Sequence, residues 1–287
     1  MGVTARAALA EASHVLAEAR VPEPALDAEL LLRHALGWDR AELLARSGDE
    51  VPPEPAARYR ALIERRASRI PLQHLVGSVH FWRHAFAVSP AALIPRPETE
   101  ILVETALGLL QGRSAPHIAD VGTGTGCIAL SLAAERPDAQ VYAIDVSPMA
   151  LELAADNARR LSLERRLSLH AGDLLAPLEP LHGHLDLIVS NPPYLEASEL
   201  DALEPEVRDH EPRLALVPSG GDRLSVYARL APAATRALAP GGALAVEIGF
   251  GMHDEVAAIF AGAGLRVERS VLDLQRIPRV VVARRVV

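Results

Sequence analysis

The sequence contains no lysine: all 29 of its basic residues are arginine. Arginine and lysine differ in hydration and hydrogen-bond geometry, but a bias spread over a whole chain reflects GC-rich codons, and no binding role is read from it. Positive charge is also in the minority. Against 37 acidic residues the formal net charge is −8, which argues against a free-standing nucleic-acid binder, whose affinity needs a basic surface. Cys127 is the single cysteine, so a disulfide framework is excluded and a reducing cytoplasm is expected. No stretch approaches the roughly 18 apolar residues of a membrane span. The opening Met1-Gly2-Val3-Thr4-Ala5-Arg6 leads into an amphipathic, partly acidic pattern rather than a signal peptide. Repeats are missing too. Among the eleven histidines, His80/His84 and His182/His184 have no acid or cysteine partner nearby, so no metal site is expected.

What is present divides by texture. Residues 1–70 read as helices only. Leu9, Ala12, Val15, Leu16 and Ala19 recur at helical spacing. A second helix, Ala25 to Leu36, stops at Gly37, and Asp39-Arg40-Ala41-Glu42 is a capping-box start for a third. A fourth runs from Glu54 to Ser68, with Tyr59, Leu62, Ile63 and Arg66 on its surface. Residues 71–91 alternate like a β-hairpin, through Pro71–Trp82 and Phe86-Ala87-Val88, and are read as a linker. A helix beginning at Thr99 or just before it and running through Leu110 opens the remainder, 92–287.

From His117 the pattern is β-α-β. Strands are expected at His117–Val121, Gln140–Ile144, Leu167–His170, Leu185–Val189, Ala243–Ile248, Leu265–Leu272 and Arg279–Ala283, with helices such as Cys127–Glu135 and Met149–Leu161 between the first five. Near-continuous apolar strands alternating with helices imply a parallel sheet covered on both faces. The last two strands are joined by too few residues for a parallel crossover, so one of them runs antiparallel. The expected fold class is therefore α/β: a Rossmann-like seven-stranded sheet with an antiparallel last strand, the layout of class I methyltransferases, preceded by a small all-α domain and the hairpin.

Two motifs carry chemistry. Asp120-Val121-Gly122-Thr123-Gly124-Thr125-Gly126 ends the first strand and opens a helix. Glycines let such a turn approach a ligand closely, with helix N–H groups aimed at it. A dinucleotide fingerprint would place its third glycine at 127; here Gly126 precedes Cys127, the form that favours S-adenosyl-L-methionine over NAD. Asp145, 23 residues after Gly122, is placed to accept both ribose hydroxyls. Asp173 is a candidate for the adenine edge, or else a turn residue, and Leu174 could pack on the base.

The second motif is Ser190-Asn191-Pro192-Pro193-Tyr194, leaving the apolar strand Leu185–Val189. Such a tetrapeptide beside such a loop suits methylation of a planar nitrogen: adenine N6, cytosine N4 or glutamine N5. The lone pair of each is delocalised, so the nitrogen is a poor nucleophile. Accepting its two hydrogens, with the Asn191 side-chain oxygen and the Pro192 carbonyl, holds it and favours the pyramidal geometry that frees the lone pair. What remains for the protein is in-line positioning and electrostatics. Prolines stiffen the loop and offer no N–H to compete, and Tyr194 provides a face for stacking.

The tetrapeptide alone leaves base and glutamine open. Pro71-Leu72-Gln73-His74 with Gly77 and Phe81-Trp82, then Leu93-Ile94-Pro95-Arg96-Pro97-Glu98-Thr99-Glu100, and finally Glu211-Pro212-Arg213-Leu214-Ala215-Leu216, resemble the PrmC (HemK) protein-glutamine methyltransferases over nearly the whole chain. The resemblance implies N5-methylation of the glutamine in the Gly-Gly-Gln motif of class 1 peptide chain release factors. It also implies that Gly122–Gly126, Asp145 and Asn191 bind the cofactor, while Asn191–Tyr194 hold the glutamine. Three places depart from the family pattern: Leu174, where a Trp is common; the Gly249-Phe250-Gly251-Met252 turn; and Asp273-Leu274, which lacks a glycine before Arg276. Arg96 and Glu98 are read first as a buried pair holding the linker against the active site, and second as contacts of the substrate loop. The helical domain is expected to recognise the release factor, and the enzyme to be a monomer without a membrane or stable nucleic-acid partner. The competing readings are a DNA or RNA amino-methyltransferase, and a binding module carrying an inactive methyltransferase fold.

Overall fold

In a computed structural model, which describes residues 2–286, the chain divides into two units. One holds residues up to Ser78 together with Leu203–His210; the other holds Val79–Ala202 and Glu211 onward.

The first unit is helical: α1 (Ala5–Glu18), α2 (Pro24–Leu36), α3 (Arg40–Ala45), α4 (Pro53–Ala67) and α5 (Leu72–Val76). Thr4 caps α1 by accepting the Ala7 N–H, and α2 and α4 start on prolines, which lack the N–H that a first turn cannot use. At α3 the capping box forms as expected: Asp39 Oδ1 accepts the Glu42 N–H at 2.8 Å and Glu42 Oε2 accepts the Asp39 N–H at 2.8 Å. Leu16, Leu31, Leu32, Tyr59 and Ile63 are buried in its core.

Two expectations need correction here. Tyr59, Ile63 and Arg66 are not on a free surface but buried, because α4 packs against α1 and α2. The linker run after Pro71 is a helical turn, not a strand. Leu72, Leu75 and Val76 recur at helical spacing, Leu75 is buried, and the turn ends at Gly77. The hairpin is shorter, β1 (Ser78–Phe81) and β2 (His84–Ala87).

Arg66 is the electrostatic centre of the helical unit. Its guanidinium donates to Asp27 Oδ2 at 2.7 Å, to Glu206 Oε1 at 2.7 Å and to the Ile70 carbonyl at 3.2 Å. Glu206 also receives Arg69 at 2.7 and 2.6 Å. Burial opposes the Glu206 charge, yet hydrogen bonds from Arg69 and Arg66 hold its carboxyl below the usual range. The segment 203–210, distant in sequence, is thereby tied to the helices of its own unit.

The second unit continues with α6 (Glu100–Leu109), β3 (His117–Val121), α7 (Cys127–Glu135), β4 (Gln140–Asp145), α8 (Pro148–Arg160), β5 (Leu167–Ala171) and β6 (Leu185–Ser190). After β6 the chain forms α9 (Pro205–His210), which belongs to the helical unit. Back in the second unit it forms α10 (Arg213–Leu216), α11 (Ser225–Ala237), β7 (Leu238–Glu247), α12 (His253–Gly262), β8 (Leu265–Leu272) and β9 (Pro278–Arg285). The seven-stranded sheet runs β5-β4-β3-β6-β7-β9-β8. β3, β4, β5, β6 and β7 pair in parallel, and β9 is antiparallel to β7 and β8. This is the expected class I methyltransferase α/β sheet. Alternate residues of β6 enter opposite cores, Leu187 and Val189 on one face and Ile188 on the other, as a doubly covered strand requires. Asn157 of α8 pins the end of the hairpin: its amide donates to the Ala87 and Thr125 carbonyls and accepts the Ala87 N–H, at 2.7–3.0 Å. No helix among the described residues is long and apolar enough to cross a membrane.

Removing Glu206 leaves Arg66 as a buried cation with one carboxylate. Glu206→Ala is expected to cost about 3 kcal/mol, read as a lowered urea midpoint, whereas Glu206→Gln, which keeps an acceptor, costs less. Equal midpoints for Ala and wild type would contradict a structural role for this network.

Candidate active site

Register gathers the site. Val121 pairs with Ile144 on one side and with Ser190 on the other, and Ser190 pairs with Val246. The next residues, Gly122, Asp145, Asn191 and Glu247, therefore stand along one sheet edge at the carboxyl ends of four parallel strands. From β3 the order proceeds to β4 on one side and β6 on the other, the switch point at which open sheets of this kind bind ligands. A cavity of about 350 Å³ lies there.

Gly122, Thr123, Gly124, Thr125, Asp145, Asp173, Leu174, Asn191, Pro192, Pro193 and Arg96 line this cavity. Gly126, Tyr194 and Glu98 do not. The reason for Gly126 is packing: a Cβ at its φ of +79° would lie 3.1 Å from Ala154 of α8. The third glycine of the motif therefore serves the approach of two helices, and Gly122 and Gly124, at φ of +75° and +55°, shape the turn itself. Asp145 receives the Gly124 N–H on Oδ2 and the Ser147 N–H on Oδ1, both at 2.9 Å. Beside it Val146 and Met149 are apolar, exposed and part of the lining. Asp173 is exposed and paired with Arg229, another lining residue.

Asp120 anchors the loop from beneath. Fully buried, it accepts the Thr123 hydroxyl at 2.7 Å and the Ala129 N–H at 3.1 Å, which caps the first turn of α7, while its Oδ1 has no partner. Burial pushes its carboxyl up to about 7, against the pull of the Thr123 and Ala129 hydrogen bonds.

At the other motif Ser190 Oγ donates to the Val121 carbonyl at 2.7 Å, tying β6 to β3. Asn191 donates from Nδ2 to Thr99 Oγ1 at 3.1 Å. Pro192 is buried and Tyr194 half-buried. The Tyr194 ring packs on Gly249, where a Cβ would lie 3.0 Å from ring carbon Cδ2 and 2.9 Å from Met252 Sδ. The Gly249–Met252 departure, remote in sequence, thus borders the chemistry in space. Burial, with Glu247 adding to it, pushes the Tyr194 hydroxyl up to about 12.

The expected Arg96–Glu98 pair does not form. Arg96 donates to Glu211 Oε1 at 2.6 Å, and Glu98 is exposed. Arg96 is extended while Pro97–Thr99 forms a 3₁₀ turn, so the two side chains diverge across Pro97. Glu211 comes from the Glu-Pro-Arg-Leu-Ala-Leu block; burial raises its carboxyl and Arg96 partly restores it. At the Asp273–Arg276 departure, Arg276 itself adopts a φ of +63°, held by Asp273 Oδ1, which accepts the Gln275 and Ile277 N–H groups at 2.8 and 2.9 Å.

Thr99, Val146, Met149 and Arg229 line the cavity and Glu247 ends β7 beside Asn191, none of them a residue that motif reading singled out. An acid ending the apolar strand Ala243–Val246 is a signal of its own, because carboxylates are seldom fully buried without a role or a partner.

Protonated Asp120 is favoured by the fold, so between about 4 and 7 the native state holds more protons than the unfolded chain. Stability from this site therefore falls as pH rises through that window. Asp120→Asn is expected to flatten the decline in thermal midpoint over that range. Asp120→Ala, which strands the Thr123 and Ala129 donors, should cost about 2 kcal/mol or more. Identical pH profiles for wild type and Asp120→Asn would refute the assignment.

Residues 7–77 match the family described as PrmC N-terminal domain, and residues 97–209 the Methyltransferase small domain. The release factor glutamine methyltransferase of Moorella thermoacetica is 49% identical over 86% of both chains. That of Cereibacter sphaeroides is 45% identical over 94% of both. Among solved structures the hMettl16 catalytic domain superposes with a TM-score of 0.56, covering 69% of this chain and 74% of its own at 16% identity, a likeness of fold alone. Identity of this extent, spanning both the helical part and the sheet, makes the chain a member of the release factor glutamine methyltransferase family.

Proposed function

We propose that this enzyme transfers a methyl group from S-adenosyl-L-methionine to the side-chain N5 of the glutamine in the Gly-Gly-Gln motif of class 1 release factors, and so tunes translation termination. The observation that carries the proposal is Asn191. Its NH2 is committed to Thr99 at 3.1 Å, which leaves its oxygen as the free acceptor beside the cavity of a family member.

The residues present fit this cofactor. Each Asp145 oxygen accepts one backbone N–H, and a carboxylate oxygen has two lone pairs, so capacity remains for neighbouring ribose hydroxyls. Val146, Met149 and Leu174 provide apolar lining for a flat base, and Asp173 is the polar group near it. Gly122 to Gly126 bring backbone close to the ligand. When bound, the cofactor supplies an electrophilic methyl carried on a sulfonium.

The protein's own part is to hold a reluctant nucleophile. Asn191 Oδ1 and the Pro192 carbonyl accept the two hydrogens of the glutamine amide, and Tyr194 offers a ring face to its plane. Pro193 keeps the loop stiff. The nitrogen becomes acidic only as it gains the methyl, so no base is needed beforehand. Arg96, a lining residue, and the exposed Glu98 belong to the substrate side. A single glutamine offers little contact area, so residues 1–70 recognise the body of the release factor, with 71–91 as linker and 92–287 as the catalytic part. The enzyme acts in the cytoplasm as a monomer.

Labelled S-adenosylmethionine offered with a release factor and, separately, with duplex DNA tests the assignment. Label is expected on the glutamine; label on nucleic acid alone would overturn it. Asn191→Ala should lower turnover by about 100-fold or more with a much smaller loss of cofactor affinity by calorimetry. Tyr194→Ala should be worse than Tyr194→Phe, and equal losses would assign the role to the hydroxyl instead. Hydrogen exchange within residues 1–70 should slow when the release factor is added; unchanged exchange there would remove the recognition role.

A further inference from the structure

The amide of an asparagine has two nearly equivalent orientations, and a clamp built on its oxygen works in only one of them. Glu247, the last residue of β7, stands next to Asn191 along the sheet edge and is 4% exposed, with no hydrogen-bond partner for Oε2. Thr99, 3% exposed, accepts Asn191 Nδ2 at 3.1 Å, and the Thr99 hydroxyl and the Asn191 amide both favour the ionised form of this carboxylate, as nearby donors do. An ionised carboxylate can only accept, and a hydroxyl has one hydrogen to give. Once Thr99 has given that hydrogen to Glu247, both groups can meet Asn191 only through its NH2. Turning the amide over would set Oδ1 against a carboxylate and a hydroxyl lone pair.

We propose that Glu247 is a positioning residue which, directly and through Thr99, locks the Asn191 amide with Oδ1 free for the methyl acceptor. This rests on the reading of Asn191 as the group that holds the acceptor's NH2, and extends it to a residue outside the cavity lining.

The groups around Glu247 come from every neighbouring element. Arg279 of β9 attracts its charge and Glu98 of the 3₁₀ turn repels it. Tyr194 and the Cys127 thiol are raised in part by it. Tyr227 of α11 donates at 2.9 Å to the Glu247 backbone carbonyl, not to the carboxylate. Burial is the largest influence and pushes the carboxyl up to about 7, with the Thr99 hydrogen bond, Arg279 and Asn191 pulling it back. Above that value the carboxylate enforces the lock. Below it the protonated group gains a donor that can face Asn191 Oδ1, and the lock is released. Turnover should therefore fall as pH drops through this value.

The test is kcat and KM against pH, with a release factor as acceptor, for wild type, Glu247→Gln, Thr99→Val and Thr99→Ser. Wild type is expected to show an acid limb in kcat centred near 7. Glu247→Gln, which can turn its own NH2 toward Asn191 Oδ1, should lose about tenfold in kcat at pH 8 and lose the limb. Its KM for S-adenosylmethionine should stay within about twofold of wild type. Thr99→Val tests the relay without touching the buried acid and should also lose about tenfold, with Thr99→Ser recovering most of that loss. Wild-type kcat and an unchanged acid limb in Glu247→Gln would overturn the proposal, as would unchanged turnover in Thr99→Val. Should wild type leave release factors unmodified yet methylate another amide or amino acceptor with the same limb, the substrate assignment would fail and the relay would stand.

Discussion

Parallel pairing across β4, β3, β6 and β7 is the constraint on which the site depends. Because the register sets Val121 level with Ile144 and Ser190, and Ser190 level with Val246, loops from four distant parts of the chain emerge side by side. A shift of one residue in any of these pairings would turn the strand's apolar side chains to the opposite face. Both cores resist that, since each strand buries residues on both sides. The precision of the site is thus inherited from packing rather than built by the loops.

Two buried carboxylates occupy that edge, Asp120 beneath the glycine loop and Glu247 beside Asn191. Both are raised to about 7 with burial as the main cause. Neither sits opposite a full ion pair; Asp120 accepts the Thr123 hydroxyl and the Ala129 N–H, and Glu247 lies beside the hydrogen-bonded Thr99–Asn191 pair. Placing such acids in an apolar edge opposes stability as they ionise. Asp120 holds the glycine turn through Thr123, and Glu247 is proposed to do the same for Asn191.

Much of the fold was legible in the sequence because its signals are local. Near-continuous apolar strands, the capping box at Asp39–Glu42 and the short final connection are each contained in a few residues, and the structure agrees with them. The run after Pro71 was misread because five residues fit both a strand and one helical turn; tertiary burial of Leu75 decided it. The Arg96–Glu98 pairing failed for the same reason. Proximity in sequence suggested a partner, whereas Glu211, 115 residues away, supplied it.

The sequence by itself determined the two motifs, the class of sheet that carries them and the family resemblance, since glycine spacing, proline content and apolar periodicity act through backbone preferences that need no distant partner. Only the tertiary structure decided which residues stand beside Asn191. Thr99 precedes it by 92 positions, Glu247 ends another strand, and no local pattern connects them. Glu247 comes beside Asn191 by parallel register, which brings residues together by strand position and not by sequence distance, while Thr99 reaches it from the 3₁₀ turn before α6.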